Sequence, residues 1–253
     1  MVDTPGFNDT TRPDGEVLAE ISEFLAAQRG ARVPLRGIIY LHKITENKMT
    51  GSDDTYLSLL ESLVGEEAMP NVMLVTTMWN KMRDEDEGEG MQREQELMDD
   101  YWAPLIAKGA CVAQFDGTPE MAMSFVSHLS GKQSVVLRVQ REIWDEERAI
   151  KGTSAGKTLW RRLTKKRDKM QGRLGEVEGQ IQAGKVGLQG EKDRIKGILS
   201  KIALSFARMN DRPGPGFKKR VTDMLAGDGA AATGVRVLIT IFNIALFVAS
   251  AVA

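Results

Sequence analysis

The sequence predicts an α/β fold: a parallel sheet with flanking helices, then a helical, basic extension, then a hydrophobic C-terminal helix. Three observations predict it. Short apolar runs alternate with stretches of helical periodicity over residues 1–132. Residues 133–210 change to a charged pattern carrying a heptad stripe. Finally, Val237–Ala253 runs for 17 residues without a charge.

The elements follow in order. Val17, Leu18, Ile21, Phe24 and Leu25 share one helical face between Gly15 and Gly30. Pro34 precedes Leu35–Leu41, which reads as a buried strand. Ser52-Asp53-Asp54 places acidic residues at the positive end of a helix. Tyr56, Leu59, Leu60, Leu63 and Val64 form its apolar face, and Gly65 stops it. A strand at Val72–Val75 ends in Thr76-Thr77. The acidic loop Asp84–Glu89 leads to a helix over about Met91–Lys108. A strand at Cys111–Phe115 closes on Asp116-Gly117-Thr118-Pro119, and a helix runs over about Glu120–Leu129. Strands separated by helices imply parallel crossovers and a sheet covered on both faces. Ligands of such sheets bind beyond the carboxyl ends of the strands. That rim collects Thr4–Phe7, His42–Thr45, Thr77–Lys81 and Asp116–Thr118.

The later part reads differently. Heptad position a takes Trp160, Arg167, Leu174, Ile181, Leu188, Ile195, Ile202 and Met209, seven of the eight being apolar. Position d takes Leu163, Met170, Val177, Gly184, Glu191, Ile198 and Ser205, a leakier seam. Seven glycines between Gly172 and Gly197 weaken any helix by about 1 kcal/mol each. A helical stalk or antiparallel hairpin is expected, with self-association or folding back on the head. Arg212-Pro213-Gly214-Pro215-Gly216 opens a linker over 211–233. Within the tail, 234–253, the uncharged run Val237–Ala253 spans roughly 25 Å as a helix, just short of a ~30 Å hydrocarbon core. It reads as a membrane anchor, or alternatively as a core helix. Lys218-Lys219-Arg220 supplies a positive cluster upstream.

Composition narrows the options. The net charge of −1 hides an asymmetry. Residues 1–150 carry 14 Lys and Arg against 27 Asp and Glu, a net −13, whereas residues 151–220 carry 19 against 6, a net +13. The basic stretch suits an anionic membrane, a nucleic acid or the acidic head itself, or is simply a solvated helix face. No specific nucleic-acid partner is expected. A single cysteine, Cys111, excludes an internal disulfide framework and suits a reducing compartment. The N-terminal residues lack the pattern of a secretory signal. Two histidines and one cysteine give no zinc site; His128 reads as a helix residue and Cys111 as core.

Val2-Asp3-Thr4-Pro5-Gly6-Phe7 carries the most chemistry. Asp-x-x-Gly at a strand end puts a carboxylate where Mg²⁺ can bind, directly or through water. It also lets the N–H of Gly6 approach a phosphate closely. The DTPGF word resembles the switch segment of septins and of immunity-associated (AIG-type) GTPases. GIIYLHKIT at Gly37–Thr45, Met49-Thr50-Gly51-Ser52, LVTTMW at Leu74–Trp79 and FDGT at Phe115–Thr118 resemble fungal AIG-like G-domain proteins, in the same order and spacing. The resemblance covers residues 2 to about 130. It implies a partial P-loop GTPase (Ras-like) domain, cytoplasmic, with C-terminal helical extensions; together with the uncharged tail, attachment to an intracellular membrane is expected. It also implies GTP or GDP with Mg²⁺ as ligands of the intact domain. The implied contacts are Asp3, Thr4, Gly6, His42, Thr77, Asn80, Lys81, Gly117 and Thr118, with Asp3 at the metal; no catalytic residue is assigned.

Two features depart from that pattern. The GxxxxGK[ST] phosphate loop lies upstream of DxxG in such folds, and these 253 residues begin at DxxG. The chain is therefore expected to be N-terminally truncated and unable to bind GTP alone. The base-reading [NT]KxD motif is also degenerate: Thr77-Met78-Trp79-Asn80 ends in asparagine, and Asn80-Lys81-Met82-Arg83 ends in arginine. An amide offers guanine one acceptor where a carboxylate offers two. Gly152-Thr153-Ser154-Ala155-Gly156-Lys157-Thr158 imitates a phosphate loop but has its glycines one residue too close and no strand before it. Two functions follow as expectations: a membrane-associated GTP-binding switch protein, or a non-enzymatic, degenerate G-like scaffold acting through its heptad stripe.

Overall fold

The apolar runs become strands and the helical-period stretches become helices in the computed structural model, which describes residues 2–7, 12–45, 51–82, 87–226 and 245–250. The chain order is β1 (Val2–Asp3), α1 (Asp14–Gly30), β2 (Leu35–Lys43), α2 (Gly51–Val64), β3 (Val72–Thr77), α3 (Glu87–Glu96) and α4 (Ala103–Ala107). There follow β4 (Cys111–Gln114), α5 (Pro119–Ser130), α6 (Arg138–Gln140), α7 (Ser154–Gln182), α8 (Gln189–Asp211), α9 (Phe217–Ala226) and β5 (Ala245–Ser250).

The fold is α/β with a parallel sheet and mostly helices. β2 pairs with β3 from Ile38↔Val72 to Lys43↔Thr77, and β3 pairs with β4 from Met73↔Cys111 to Thr76↔Gln114. β5 enters parallel between β1 and β2, so the sheet order is β1-β5-β2-β3-β4. Side chains alternate across the sheet as a period of two demands. Ile38, Tyr40, Val72 and Leu74 belong to one buried cluster with residues of α1 and α2 and with Trp102. Ile39, Met73 and Val75 belong to a second, with Phe125 and Leu129 of α5. Both faces are covered, which is why these strands read as continuous apolar runs.

The helix expected over Met91–Lys108 is broken. α3 passes into a π turn at Leu97–Tyr101, and α4 restarts with Pro104 in its first turn. Proline has no N–H and clashes with the carbonyl four residues earlier, so the ladder must open there. The N–H of Trp102 instead reaches the Leu97 carbonyl at 2.7 Å, and the indole is fully buried.

The heptad stripe is not one continuous helix. α7 and α8 form an antiparallel hairpin whose turn uses Gly184 and Gly187 at φ +87° and +85°, a region that favours glycine. Arg173–Glu191 and Lys192–Glu178 pair across it at 2.8 and 2.9 Å, and Trp160 meets Phe206 at 4.2 Å. The base of the hairpin packs on the head: Leu159, Leu163, Ile202 and Met209 join the first buried cluster. Leu137, Val139, Ile143 and Ile150, between α5 and α7, join it too. Part of the charge asymmetry closes internally. Arg208 lies 3.6 Å from Glu16, and Arg212 pairs with Glu23 at 2.5 Å; both carboxylates are on α1. Arg212 holds both oxygens of the half-buried Glu23 carboxylate, and the apolar cluster beneath these pairs supplies the burial that holds the base of the stalk.

Two expectations for the C-terminal part change. The linker stretch contains a helix, α9, whose Phe217 meets Trp144 edge-on at 6.4 Å. Where a hydrophobic helix is expected over 234–253, Ala245–Ser250 forms a strand instead. The rest of that tail lies outside the described residues. Among the described residues, no helix is long and apolar enough to cross a membrane. The physical reason for the strand is pairing: β5 finds a ladder on both sides, and its Phe247 and Val248 are strand formers.

Candidate functional site

The carboxyl ends of β1, β2, β3 and β4 lie along one rim, as a parallel sheet requires. The residues expected there occupy different environments. Asp3 is exposed, Thr4 is buried and Gly6 is half-buried. The segment is pinned by Phe7, whose ring stacks on Tyr56 with centroids 5.6 Å apart. The Arg162 guanidinium of α7 lies 4.1 Å from the centre of the same Tyr56 ring. The Tyr56 hydroxyl donates to Asp14 at 3.3 Å. Burial, then the Asp14 charge, pushes the Tyr56 phenol well above its ordinary range.

His42 sits at the end of β2 but turns inward. It is 3% exposed and meets the buried Trp102 edge-on at 6.1 Å. Thr77 is also inward, donating its hydroxyl to the His42 carbonyl at 3.3 Å. Asn80 and Lys81 are exposed on the next turn, which starts with Met78 in a left-handed conformation at φ +67°. Gly117, at φ +90°, faces that turn: a Cβ there would sit 3.6 Å from Asn80 Nδ2. The structure thus brings Asn80 and Gly117 together. Thr118 is committed elsewhere: its hydroxyl caps α5 by accepting from Met121 N at 3.2 Å. Asp116 Oδ1 accepts from Thr118 N at 2.8 Å and from its hydroxyl at 2.7 Å, which lowers the Asp116 carboxyl below its ordinary range.

β1 and β3 are three strand steps apart in the sheet, roughly 14 Å. Asp3–Gly6 and Asn80–Gly117 therefore meet one ligand only if it lies along the rim. Among the described residues no group of three or more His, Cys, Asp or Glu is placed to hold a metal. Asp3 offers a single exposed carboxylate. That fits Mg²⁺ only where phosphate oxygens complete the shell, since Mg²⁺ commonly takes one or two carboxylates besides substrate phosphates and water. A cavity of about 920 Å³ opens away from this rim, beside α9, between Ile143, Glu147, Pro213, Phe217 and Lys218.

Two carboxylates escape sequence reasoning. Glu94 of α3 accepts from Thr76 Oγ1 at 2.6 Å and from the Gln114 amide, tying α3 to the ends of β3 and β4. Glu142 closes the phosphate-loop imitation. Its carboxylate accepts from Ser154 N at 3.0 and 3.1 Å and from Ser154 Oγ at 2.7 Å. Thr153 Oγ1 accepts from Gly156 N at 2.9 Å. Residues 152–158 are a helix start at which the N–H groups of Gly152, Thr153, Ser154, Gly156 and Lys157 are already bonded to the chain's own oxygens. Glu142 is 5% exposed and also pairs with Arg148 at 3.2 Å. Glu142→Ala leaves the Ser154 donors and Arg148 without it. It is expected to lower stability by about 2–3 kcal/mol, read as a shift in the urea midpoint.

No protein-family model matches this chain, and neither a curated protein nor a solved structure matches it.

Proposed function

We propose that the chain is a nucleotide-switch module of the AIG-like or septin-like G-domain type, acting at a membrane and without GTP binding of its own. One observation carries the reading: the DTPGF segment, the Thr77–Lys81 turn and the FDGT turn end three strands, β1, β3 and β4, on the same rim of one parallel sheet, with Asn80 against Gly117. In that reading Gly6 and Asp3 serve the phosphate and Mg²⁺ end, while Asn80, Lys81 and Gly117 serve the base and Thr118, as the cap of α5, holds the turn in place. His42 and Thr77 position the rim from beneath rather than touch the ligand. Bound Mg²⁺ would neutralise phosphate charge, and Asp3 would hold it directly or through water.

The phosphate grip of such domains comes from loop amides, a lysine and a Ser/Thr hydroxyl in GxxxxGK[ST]. The 253 residues contain no such sequence, and the nearest imitation is capped by Glu142. Calorimetry with GTP and Mg²⁺ is expected to give no saturable binding to residues 1–253. A chain extended by an upstream strand, GxxxxGK[ST] loop and helix should bind, with weaker guanine preference than an NKxD protein. Micromolar binding by the unextended chain would overturn the reading. A second reading is favoured by the occupied helix start and by the internally filled sheet: a non-enzymatic scaffold, which predicts that the extension restores nothing.

The membrane part rests on the uncharged run Val237–Ala253 and the basic cluster Lys218–Arg220. The exposed Lys157, Arg161, Lys165 and Lys169 recur every four residues along α7, a positive ridge suited to anionic headgroups.

A further inference from the structure

The tail is required by two incompatible structures. Ala245–Ser250 lies between β1 and β2, in register with Val2–Asp3 on one side and Leu35–Leu41 on the other. β1 is at the end of the sheet, and β5 is its neighbour there. The ladder holding the start of the Asp3–Phe7 segment is therefore the one made by β5. The same six residues fall inside the 17-residue uncharged run.

A bilayer admits a single segment only as a helix, because every backbone N–H and C=O must be satisfied within it. Six residues in a strand span ~20 Å and take their hydrogen bonds from neighbours. To enter lipid, residues 245–250 must leave both ladders and coil. Withdrawal strips β1 of its neighbour and exposes an edge of β2. Nothing in the chain's length prevents it: 18 residues separate α9 from β5, a tether of up to about 60 Å.

We propose that the groove between β1 and β2 is an exchangeable strand-acceptor site, that its resident is the chain's own 245–250 segment, and that a lipid bilayer competes with the groove for it. This rests on the membrane reading given above. Attachment to a membrane then releases the Asp3–Phe7 segment from the sheet. Conversely, a filled groove keeps the tail out of the bilayer.

A reversible lock tests this in the full chain. Leu41 and Ser250 are paired in the β2–β5 register, at a strand spacing that a disulfide can bridge. The variant carries Leu41→Cys and Ser250→Cys, with Cys111→Ser to remove the native thiol. Ile39→Cys with Val248→Cys is a second pair on the same ladder should the first fold poorly, circular dichroism being the check. The oxidised protein is expected to form the intramolecular disulfide in solution. It should stay in the aqueous fraction when floated with phosphatidylcholine vesicles, whose neutral headgroups give the positive ridge of α7 nothing to bind, while reductant restores flotation to the wild-type level. If neither pair forms a disulfide in folded protein without vesicles, the groove is not occupied by the tail and the proposal fails. If the locked protein floats as well as the reduced one, the competition fails while the membrane reading survives. If the disulfide forms but neither wild-type nor reduced protein floats, the membrane reading itself fails, and the competition with it.

Discussion

Tyr56→Ala is expected to cost about 3–5 kcal/mol of stability and to free the Asp3–Phe7 segment from the stalk. The ring is 4% exposed and stands between Phe7 after β1 and Arg162 on α7. Its removal leaves a cavity, unstacks Phe7 and strips a partly desolvated guanidinium of its aromatic partner. Urea unfolding should report the loss, and hydrogen exchange should report faster exchange at residues 3–7 before global unfolding. Tyr56→Phe keeps both ring contacts and loses the hydroxyl's interactions with Asp14 and Arg162, so it should cost about 1–2 kcal/mol. The pH dependence separates the two roles. The folded phenol titrates above its unfolded value of about 10, so folding favours the protonated form. That contribution is complete below about pH 10 and is lost as pH rises from there through the folded value. Tyr56→Phe should remove that alkaline decline. An unchanged alkaline slope in the variant would assign the decline to other groups.

Strands β2, β3 and β4 are legible in the sequence because each is a short apolar run bounded by Pro, Gly or Thr, with β2 and β3 buried on both faces and β4 half-buried at the sheet edge. The break before Trp102 is not, because helical periodicity continues through it. Only the interior into which the indole packs, together with Pro104, selects the π turn. The heptad row Leu174, Ile181, Leu188, Ile195 signals a seam without saying whether its partner is another chain or the same one. The glycines at 184 and 187 decide for the hairpin through their positive φ, whereas in the sequence they count only as helix-weakening residues.

The rim is similarly half legible. Parallel crossovers suffice to bring the ends of β3 and β4 side by side, so the approach of Asn80 and Gly117 follows from element order. Side-chain direction does not: His42 turns inward against the buried Trp102 ring, and Thr118 is used as a helix cap. The Glu142 cap lies 12 residues before Ser154 across two turns, beyond any periodic signal. The tail shows the sharpest limit. An uncharged apolar run fits a membrane helix, a core helix or a buried strand equally in periodicity. What distinguishes them is the open ladder between β1 and β2, contributed by residues about 200 positions away.

Alanine substitution of glycine should act with opposite signs at two ends of the hairpin. At its base the helices approach too closely for a methyl group. A Cβ on Gly15 would lie 2.3 Å from the Ser205 carbonyl oxygen, and one on Gly156 would lie 1.8 Å from that of Ile150. Either change forces backbone apart and is expected to cost about 1–3 kcal/mol or more. Further out, Gly172, Gly175, Gly179, Gly190 and Gly197 are all helical, and an added Cβ meets nothing within 4 Å. There the substitution only narrows the unfolded ensemble and raises helix propensity, about 0.4–1 kcal/mol per site. The five-alanine variant is therefore expected to gain about 2–5 kcal/mol in α7 and α8 together. A later thermal transition by circular dichroism and slower amide exchange confined to the hairpin would check it, with residues of β2 and β3 as the internal control. A variant that melts no later would mean that the glycine face is covered in solution, because only a contacted methyl can offset the propensity gain. The oligomeric state of the wild-type chain would then be the next measurement, since a second copy of the hairpin is the partner its heptad row would take.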